Sequence, residues 1–504
     1  MGTNYRTKYF FDNYLGINER DFLSRKRGEA DSLSNVLFPQ RNIKKRPGMT
    51  KLNEVSIGDV ACLRLYDFRP EGHDNILISV WSDGTIRKME GLDGEWDTIG
   101  DSFTPGIDVV WGFATFNDIC IMGNGIEVLQ KYEYGDAVVS ALGGSPPKSN
   151  KFVVFHNFLV LADADNPSTI KWSSYSNCQI WPVTNYLPIN TNDNDSLTAI
   201  CKLGNYVYLT KNRSCHQLNF TGNLESEEYA FGVEQAVENK GTVAQNLIQI
   251  VDGKYLVIPN LDDIYAYAGG VDMPSLAQQR IKTTYDSLNK GRLKYGASVN
   301  YDKEKLYLLS ASVGSNTYES KIIGFDYANK GLLIIDGWKL RSLVSYLDNS
   351  EEVLIGGCSD EVGFAYKLFE GENDDTEAIS SYWGNGWEHC DSPDTLKYFR
   401  NLIVYAKIEG DWDLDVYYKT ARKDIGFPSG DGQRKNVNLS GTATLLGTTF
   451  VLGTSPLGGE ECLIITVPLE VWGEWIRIMF KNANADEPFE ILGYALQYEP
   501  VRQN

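Results

Sequence analysis

Apolar and polar positions alternate in short stretches along most of this chain. Runs such as "YVYLT" (206–210) and "YLVIP" (255–259) are almost wholly apolar, as expected of strands buried on both faces. Many runs follow residues that tolerate the positive φ of a hairpin turn, as at Asn117-Asp118, Gly204-Asn205 and Asp252-Gly253. From about residue 57 to 371 the strand–turn–strand unit recurs about seven times, at a spacing of roughly 43–51 residues. "KFVVFHNFLVLADADNPSTIKWSS" and "LIQIVDGKYLVIPNLDDIYAYAG" are clear instances. Such repetition is what β-propeller blades require. The alternative is an unrelated series of hairpins in sandwiches.

The ends of the chain read differently. Residues 1–52 are irregular, basic and Asn-rich, and suggest an extended arm or a strand that docks elsewhere. The acidic stretch "EGENDDTEAISSYWGNGWE" reads as a linker. Beyond it, "KYFRNLIVYAKI", "GDWDLDVYYKTA", "LIITVPL", "EWIRIMFKN" and "PFEILGYALQYEP" are period-two or β-rich, with no helical stripe. The expectation is therefore an all-β chain: a basic arm over 1–55, a β-propeller of six or seven blades over 56–372, and a C-terminal β-sandwich, jelly-roll-like, over 373–504. The blade count stays open by one, because the arm can supply a strand that closes the ring. The best helix candidate is 273–293, "MPSLAQQRIKTTYDSLNKGRL".

Composition narrows the function. The 504 residues exceed one ordinary core unless the fold is a repeat or ring. With 42 % hydrophobic and 23 % charged residues, the chain is globular and not disordered. The formal net charge is −20, but up to Lys51 eleven Lys/Arg face five Asp/Glu, leaving about −26 on the rest. So acidic a body argues against tight nucleic-acid binding, which needs clustered cations. No run approaches the ~18 apolar residues of a membrane span. The start "MGTNYRTKYFF" has no apolar signal core, and Arg6 stands where a myristoylation signal wants Ser or Thr. The eight cysteines show no CxxC spacing, so reduced, mostly buried thiols are expected.

Candidate chemistry is sparse. Cys215-His216 and His389-Cys390 resemble two halves of a metal site, but neighbours on a strand point to opposite faces, so each pair offers one ligand. "TNDNDS" (Thr191 to Ser196) resembles the start of a calcium loop without its Gly and terminal Glu, and reads as a solvated loop. "SDGTIR" (Ser82 to Arg87) reads as a plain Asp-Gly turn. No GxSxG, Walker A or GxGxxG motif occurs. A propeller glycosidase would need two convergent carboxylates, and no pair among the many stands out. No catalytic residue, cofactor or metal ligand is assigned.

One segment carries a resemblance. "YLGINERDF…KRGEADSLSNVLFPQRNIKKRPGM" contains Gly16, Ile17, Asn18 and Arg20, then Glu29, Ala30 and Asn35-Val36, then Lys45-Arg46-Pro47-Gly48. In this it resembles the tail nozzle proteins of short-tailed bacteriophages, also called tail tubular protein B or phage stabilisation proteins. The usual Gly between Asn35 and Lys44 is missing; "FPQRN" stands in its place. "IKWSSYSNCQIWP", "GNYVYLTKNRSCHQL", "VENKGTVAQNLIQIVDGKYLVIPNLDDIYAYAGG" and "NADEPFEILGYALQYEP" resemble later family segments.

The resemblance implies a virion structural protein, made in the bacterial host cytoplasm and located in the tail. It implies a homo-oligomeric ring, taken as a hexamer, below the head-to-tail adaptor, with tail fibres or a tail needle as further partners. DNA would pass through its channel without specific binding. An acidic wall suits that passage, since it repels phosphate. The candidate motif and assembly residues are Gly16, Asn18, Arg20, Asn35, Arg41, Lys44, Lys45, Arg46, Pro47 and Gly48. Arg41, Lys44, Lys45 and Arg46 are expected to dock on acidic surface of the same or a neighbouring subunit. The competing class is a propeller-fold carbohydrate-active enzyme or glycan-binding adhesin; a third is a generic propeller scaffold.

Overall fold

The computed structural model describes residues 5–21, 24–189, 192–420, 433–440 and 462–501. The chain is all-β, with 48 % strand and 4 % helix, in many small antiparallel sheets, and among the described residues none of these is a closed barrel. It divides into two compact units: 50–323 with 338–368, and 1–49 with 324–337 and 369–504.

In the first of these, short sheets follow one another along the chain, each pairing its strands in chain order. Cys62–Phe68, Ile76–Trp81, Ile86–Glu90 and Asp97–Gly100 make one such sheet. Local chemistry sets the turns. Phe116 pairs with Ile119 across Asn117 (φ 45°) and Asp118 (φ 61°). Leu203 pairs with Tyr206 across Gly204 (φ 59°), and Val251 with Tyr255 across Asp252 and Gly253 (φ 53° and 63°). Positive φ at these turns matches the twist of the strands they join.

Ile76–Trp81 and Phe158–Ala162, each the second strand of its sheet, are buried at every position. The reason is that successive sheets cover both faces. Ile76, Ile78 and Val80 pack with Trp111, Phe113 and Met122 of the next sheet. Ile121 and Leu129 pack with Phe152, Leu159 and Leu161 of the one after. The next two interfaces join Val160 and Trp172 to Leu209 and Phe231, and Tyr208 and Cys215 to Leu256 and Tyr267.

The last sheet, Leu340–Asp348, Glu351–Cys358 and Ala365–Leu368, takes its edge strand, Met49–Lys51, from the beginning of the chain. Leu52 N–H donates to Ala365 O at 2.8 Å, and Asn53 Oδ1 accepts from Ala365 N–H at 2.8 Å. This sheet also meets the first one: Leu65 N–H donates to Ser342 Oγ (2.6 Å) and Tyr346 Oη to Asn75 O (2.6 Å).

The expected helix over 273–293 is mostly absent. Only Lys282–Asp286 is α-helical, with a 3₁₀ turn at Leu293–Tyr295. Residues 274–276 are extended instead, because their backbone finds strand partners: Ala266 N–H donates to Pro274 O (3.0 Å) and Leu276 N–H to Ile264 O (2.7 Å).

The other unit holds two larger sheets. One orders Val36–Leu37, Ile43–Lys45, Glu490–Pro500, Lys397–Ala406 and Leu463–Gly473, with Arg6–Phe10 also on Glu490–Pro500. The other orders Ala30–Ser34, Ser381–Asn385, Ile476–Asn482, Asp413–Thr420 and Gln433–Asn438. Period-two burial explains the strands: Asp413–Thr420 buries Leu414, Val416, Tyr418 and Thr420 and turns the alternate residues outward. Aromatics link the two sheets. Trp383 stacks on Phe480 (centroids 6.2 Å apart), and both lie against Tyr494, at 6.1 and 5.8 Å. The segment set apart in the sequence as a basic arm supplies strands to both sheets.

Candidate functional site

The candidate motif and assembly residues, from Gly16 to Gly48, lie in the unit formed by 1–49, 324–337 and 369–504. The strand Ile43–Lys45 decides their fates by alternation. Ile43 and Lys45 face inward and Lys44 outward. Chain direction then carries Arg46 into the interior.

Arg46 is 1 % exposed. Its Nη1 and Nη2 donate to Asp374 Oδ1 and Oδ2 at 2.7 and 2.6 Å. Nε donates to Asn35 Oδ1 (2.9 Å), Nη1 also to Pro47 O (3.0 Å), and Nη2 also to Asp336 O (3.3 Å). All five guanidinium protons thus have an acceptor, which a buried arginine requires.

Asn35 holds the other side of this network. Its φ is +58°, a conformation asparagine tolerates better than most residues. Its Oδ1 accepts from Asp336 N–H (3.0 Å), and its Nδ2 donates to Ser380 O (2.9 Å). Its carbonyl accepts from Arg46 N–H and Ser381 Oγ, at 3.0 and 2.9 Å. Ser34 Oγ donates to Asp336 Oδ2 (2.7 Å).

The two motif glycines sit where a side chain has no room. A Cβ on Gly48 would lie 1.7 Å from Asn373 O, because the Gly48 backbone exchanges hydrogen bonds with Gly371 O and Glu370 N–H. A Cβ on Gly16 (φ +74°) would lie 2.2 Å from Leu332 O, across a parallel bridge. Asn18, 1 % exposed, donates to Glu29 Oε2 (2.6 Å) and accepts from the Arg20 backbone N–H (3.1 Å). Glu29 Oε2 also accepts from Lys26 N–H (2.7 Å). Pro47 closes the strand and offers its carbonyl to Arg46.

Lys45, 2 % exposed, donates to Asn482 Oδ1, Asn484 O and Glu487 O at 3.0, 3.0 and 3.1 Å. Burial pulls its pKa down to about 8, against the opposing pull of Glu487 and Glu372. The remaining two cations of the cluster stay near the surface. Lys44 Nζ lies 3.9 Å from Glu490 Oε2, and the Arg41 guanidinium lies 4.8 Å from the Tyr14 ring. The basic cluster therefore splits in two: Lys45 and Arg46 are spent on internal hydrogen bonds, and Arg41 and Lys44 remain accessible.

Asp374 and Asp336 were not singled out by the sequence. Asp374 sits in the acidic stretch read as a linker, where a carboxylate for a buried arginine looks like any solvated charge. The alternation of Ile43 and Lys45 was the one available signal that Lys45 is internal.

The other sequence candidates are dispersed. Cys215 lies in an apolar core beside Leu256 and Ile258, while His216 contacts Ser214 Oγ at 3.1 Å, its pKa pushed down by burial and Lys211. Among the described residues no group of three or more His, Cys, Asp or Glu is placed to hold a metal ion. In "TNDNDS", Thr191 lies outside the described residues. Asp193 is held by the buried Lys211 (2.7 Å) and Asp195 accepts from Asn212 (2.7 Å). Gly84 (φ +82°) makes the Ser82–Arg87 turn, and Asp83 Oδ1 accepts from Thr85 N–H. Six of the eight cysteines are buried. Among the described residues no helix is long and apolar enough to cross a membrane.

No family model matches this chain, and no curated protein does. A solved structure that aligns with it is the computationally designed Ika8 protein, at 13 % identity over 63 % of this chain and 99 % of that one, with a TM-score of 0.39.

Proposed function

We propose that the chain is a virion structural protein, a tail nozzle of a short-tailed bacteriophage. It forms a homo-oligomeric ring of six copies below the head-to-tail adaptor and lines the channel through which DNA leaves. In this reading the run of small sheets is a β-propeller of seven blades and the two larger sheets are a β-sandwich. The cores between successive sheets, and the hydrogen bonds from the last sheet to the first, support the propeller; Trp383, Phe480 and Tyr494 support the sandwich.

The observation that carries the reading is the meeting of Asn35 and Arg46 in one interior network, with Gly16 and Gly48 packed against the backbone of Leu332 and Asn373. The motif shared with nozzle proteins serves architecture and leaves no spare cation in the interior for phosphate. The net charge of −20 agrees with a wall along which DNA slides without sticking. The adaptor, tail fibres and a tail needle are the expected neighbours, and the ring closes by a heterologous contact. Deleting the gene tests this: particles assembled without the protein should fail to retain or deliver their DNA. DNA-filled, infectious particles lacking it would overturn the reading.

A further inference from the structure

The unit formed by 50–323 with 338–368 holds a cavity that serves none of the roles above. It measures about 360 Å³ and lies where the first strands of five successive sheets begin. Val110, Lys151, Thr198, Gln245 and Tyr295 line it. They stand just ahead of Gly112–Phe116, Phe152–Phe155, Ala199–Leu203, Gln249–Val251 and Ala297–Tyr301 in turn. The volume is within the range of small-ligand pockets, which begin at about 300 Å³.

The charge balance of this cavity is the reverse of the chain's. The charged side chains on its wall are Asp108, Lys151 and Lys294. Asp108 is taken, because its Oδ1 accepts from Arg292 Nη1 at 3.0 Å. Tyr295 has three cations on its ring: Arg292, Lys294 and Arg341, at 4.8, 4.9 and 5.3 Å. Arg341 has its own carboxylate, Glu319, 3.7 Å away. The two arginines are therefore matched. Among the described residues the ammonium groups of Lys151 and Lys294 have neither a hydrogen-bond nor an ion-pair partner.

Lys151 is the more telling of the two. It is partly buried, and burial pushes its pKa below the usual lysine value. Burial does the same to Lys45, Lys290 and Lys397, but carboxylates pull those values back up. At Lys151 no carboxylate does so. Its Nζ is also not sealed from solvent, unlike the unpaired guanidinium nitrogens of Arg64 and Arg292. An unmatched ammonium group at a cavity wall, part-buried yet open to solvent, is a place for an anion.

The rest of the wall limits what that anion can be. Its amides are already committed, Asn150 Nδ2 to Val110 O (3.2 Å) and Gln245 Nε2 to Phe152 O (3.1 Å). Recognition falls to the lysines, which bind phosphate as point charges. A phosphomonoester carries about −1.5 to −2 at neutral pH, so one group can neutralise both. A phosphodiester or a single carboxylate brings one charge and leaves a lysine unmatched. Val109, Ile126, Leu197 and Val243 are apolar and leave room for more than a phosphate group. We infer that this cavity is a binding site for a small organic phosphomonoester, whose phosphate is met by Lys151 and Lys294 and whose apolar body lies on these side chains.

The inference does not rest on the ring. The cavity lies within one chain, and binding can be read on single molecules whether or not they assemble. It also leaves DNA passage untouched, since the backbone of DNA is a phosphodiester.

Isothermal titration calorimetry on the full chain tests it, with phenyl phosphate as the probe. At about 10 mM, a site with a Kd near 1 mM is mostly filled. Phenyl phosphate should bind, and more tightly than inorganic phosphate, which lacks the apolar body. Phenyl sulfate has the same shape with one charge less, and should bind at least about tenfold more weakly. Lys151→Met and Lys294→Gln, each with wild-type melting, should weaken phenyl phosphate by about tenfold or more. Lys254→Gln, which removes an exposed lysine already paired with Asp252, should leave binding unchanged. No heat from phenyl phosphate at 10 mM would overturn the inference, as would binding unchanged in the folded Lys151→Met and Lys294→Gln proteins. Phenyl sulfate or the dicarboxylate phthalate binding as tightly as phenyl phosphate would overturn the assignment to a phosphomonoester.

Discussion

Arg46 and Asp374 lie 328 residues apart in sequence and form a two-point ion pair, Nη1 to Oδ1 at 2.7 Å and Nη2 to Oδ2 at 2.6 Å. The pair ties the N-terminal segment to the acidic stretch that precedes the C-terminal strands. Removing one partner leaves an uncompensated charge in the interior, which costs about 3–5 kcal/mol. Arg46→Met should therefore lower the denaturant midpoint strongly, and Arg46→Lys should lower it too, because lysine cannot make the bidentate contact. The double change Arg46→Met with Asp374→Leu should recover part of the loss. Urea unfolding of the four proteins checks this; a double variant no better than Arg46→Met would contradict it.

The glycine contrast is sharper. Gly16 and Gly72 share a φ of +74°, but a Cβ at Gly72 meets nothing within 4 Å, whereas at Gly16 it meets Leu332 O at 2.2 Å. Gly72→Ala should cost only the left-handed penalty, about 1–2 kcal/mol. Gly16→Ala should cost more. Gly48→Ala, with its 1.7 Å approach to Asn373 O, should do so without any positive φ. Thermal melts of the three variants decide.

Lys45 gives a pH dependence whose sign can be worked out. Its ordinary pKa of 10.5 falls to about 8 in the folded chain. Between those values the unfolded state holds more protons, so this group's contribution to stability rises with pH across that window. At neutral pH the charge is buried at a cost, offset by three hydrogen bonds. The stability advantage of the wild type over Lys45→Met should widen from pH 8 to 10. A constant difference would mean that the lysine keeps its ordinary affinity for the proton.

Charge reversal at the basic cluster should separate its two halves. Lys45→Glu and Arg46→Glu should unfold their surroundings and so report nothing about assembly. Arg41→Glu with Lys44→Glu should leave the melting temperature nearly unchanged, since exposed pairs contribute at most about 1 kcal/mol. If these two cations contact a neighbouring copy, the same variant should shift assembly to higher protein concentration, as read by light scattering.

The sequence was most informative where structure is local. Asn117-Asp118 and Asp252-Gly253 make the turns their residue types require, and "YVYLT" is a strand buried from Val207 to Thr210 because its apolar run has both faces to fill. It was least informative where partners are distant. The 273–293 segment has helix-compatible composition, but Pro274 and Leu276 pair with the strand Ile264–Tyr267, and no periodicity announces that. The basic cluster was visible at once, its consequence was not. A run of positive charge looks the same whether it is solvated, docked on a partner or spent inside. Only Asp374 and Asn35, brought to Arg46 by folding, tell these apart.

The central claim is that copies of this chain close into a ring. Negative-stain imaging of the purified full-length protein tests it most directly, over a range of concentrations and with the adaptor added. Closed rings of six subunits around a stain-filled channel are the predicted result. Single-chain particles under every condition, adaptor included, would contradict it.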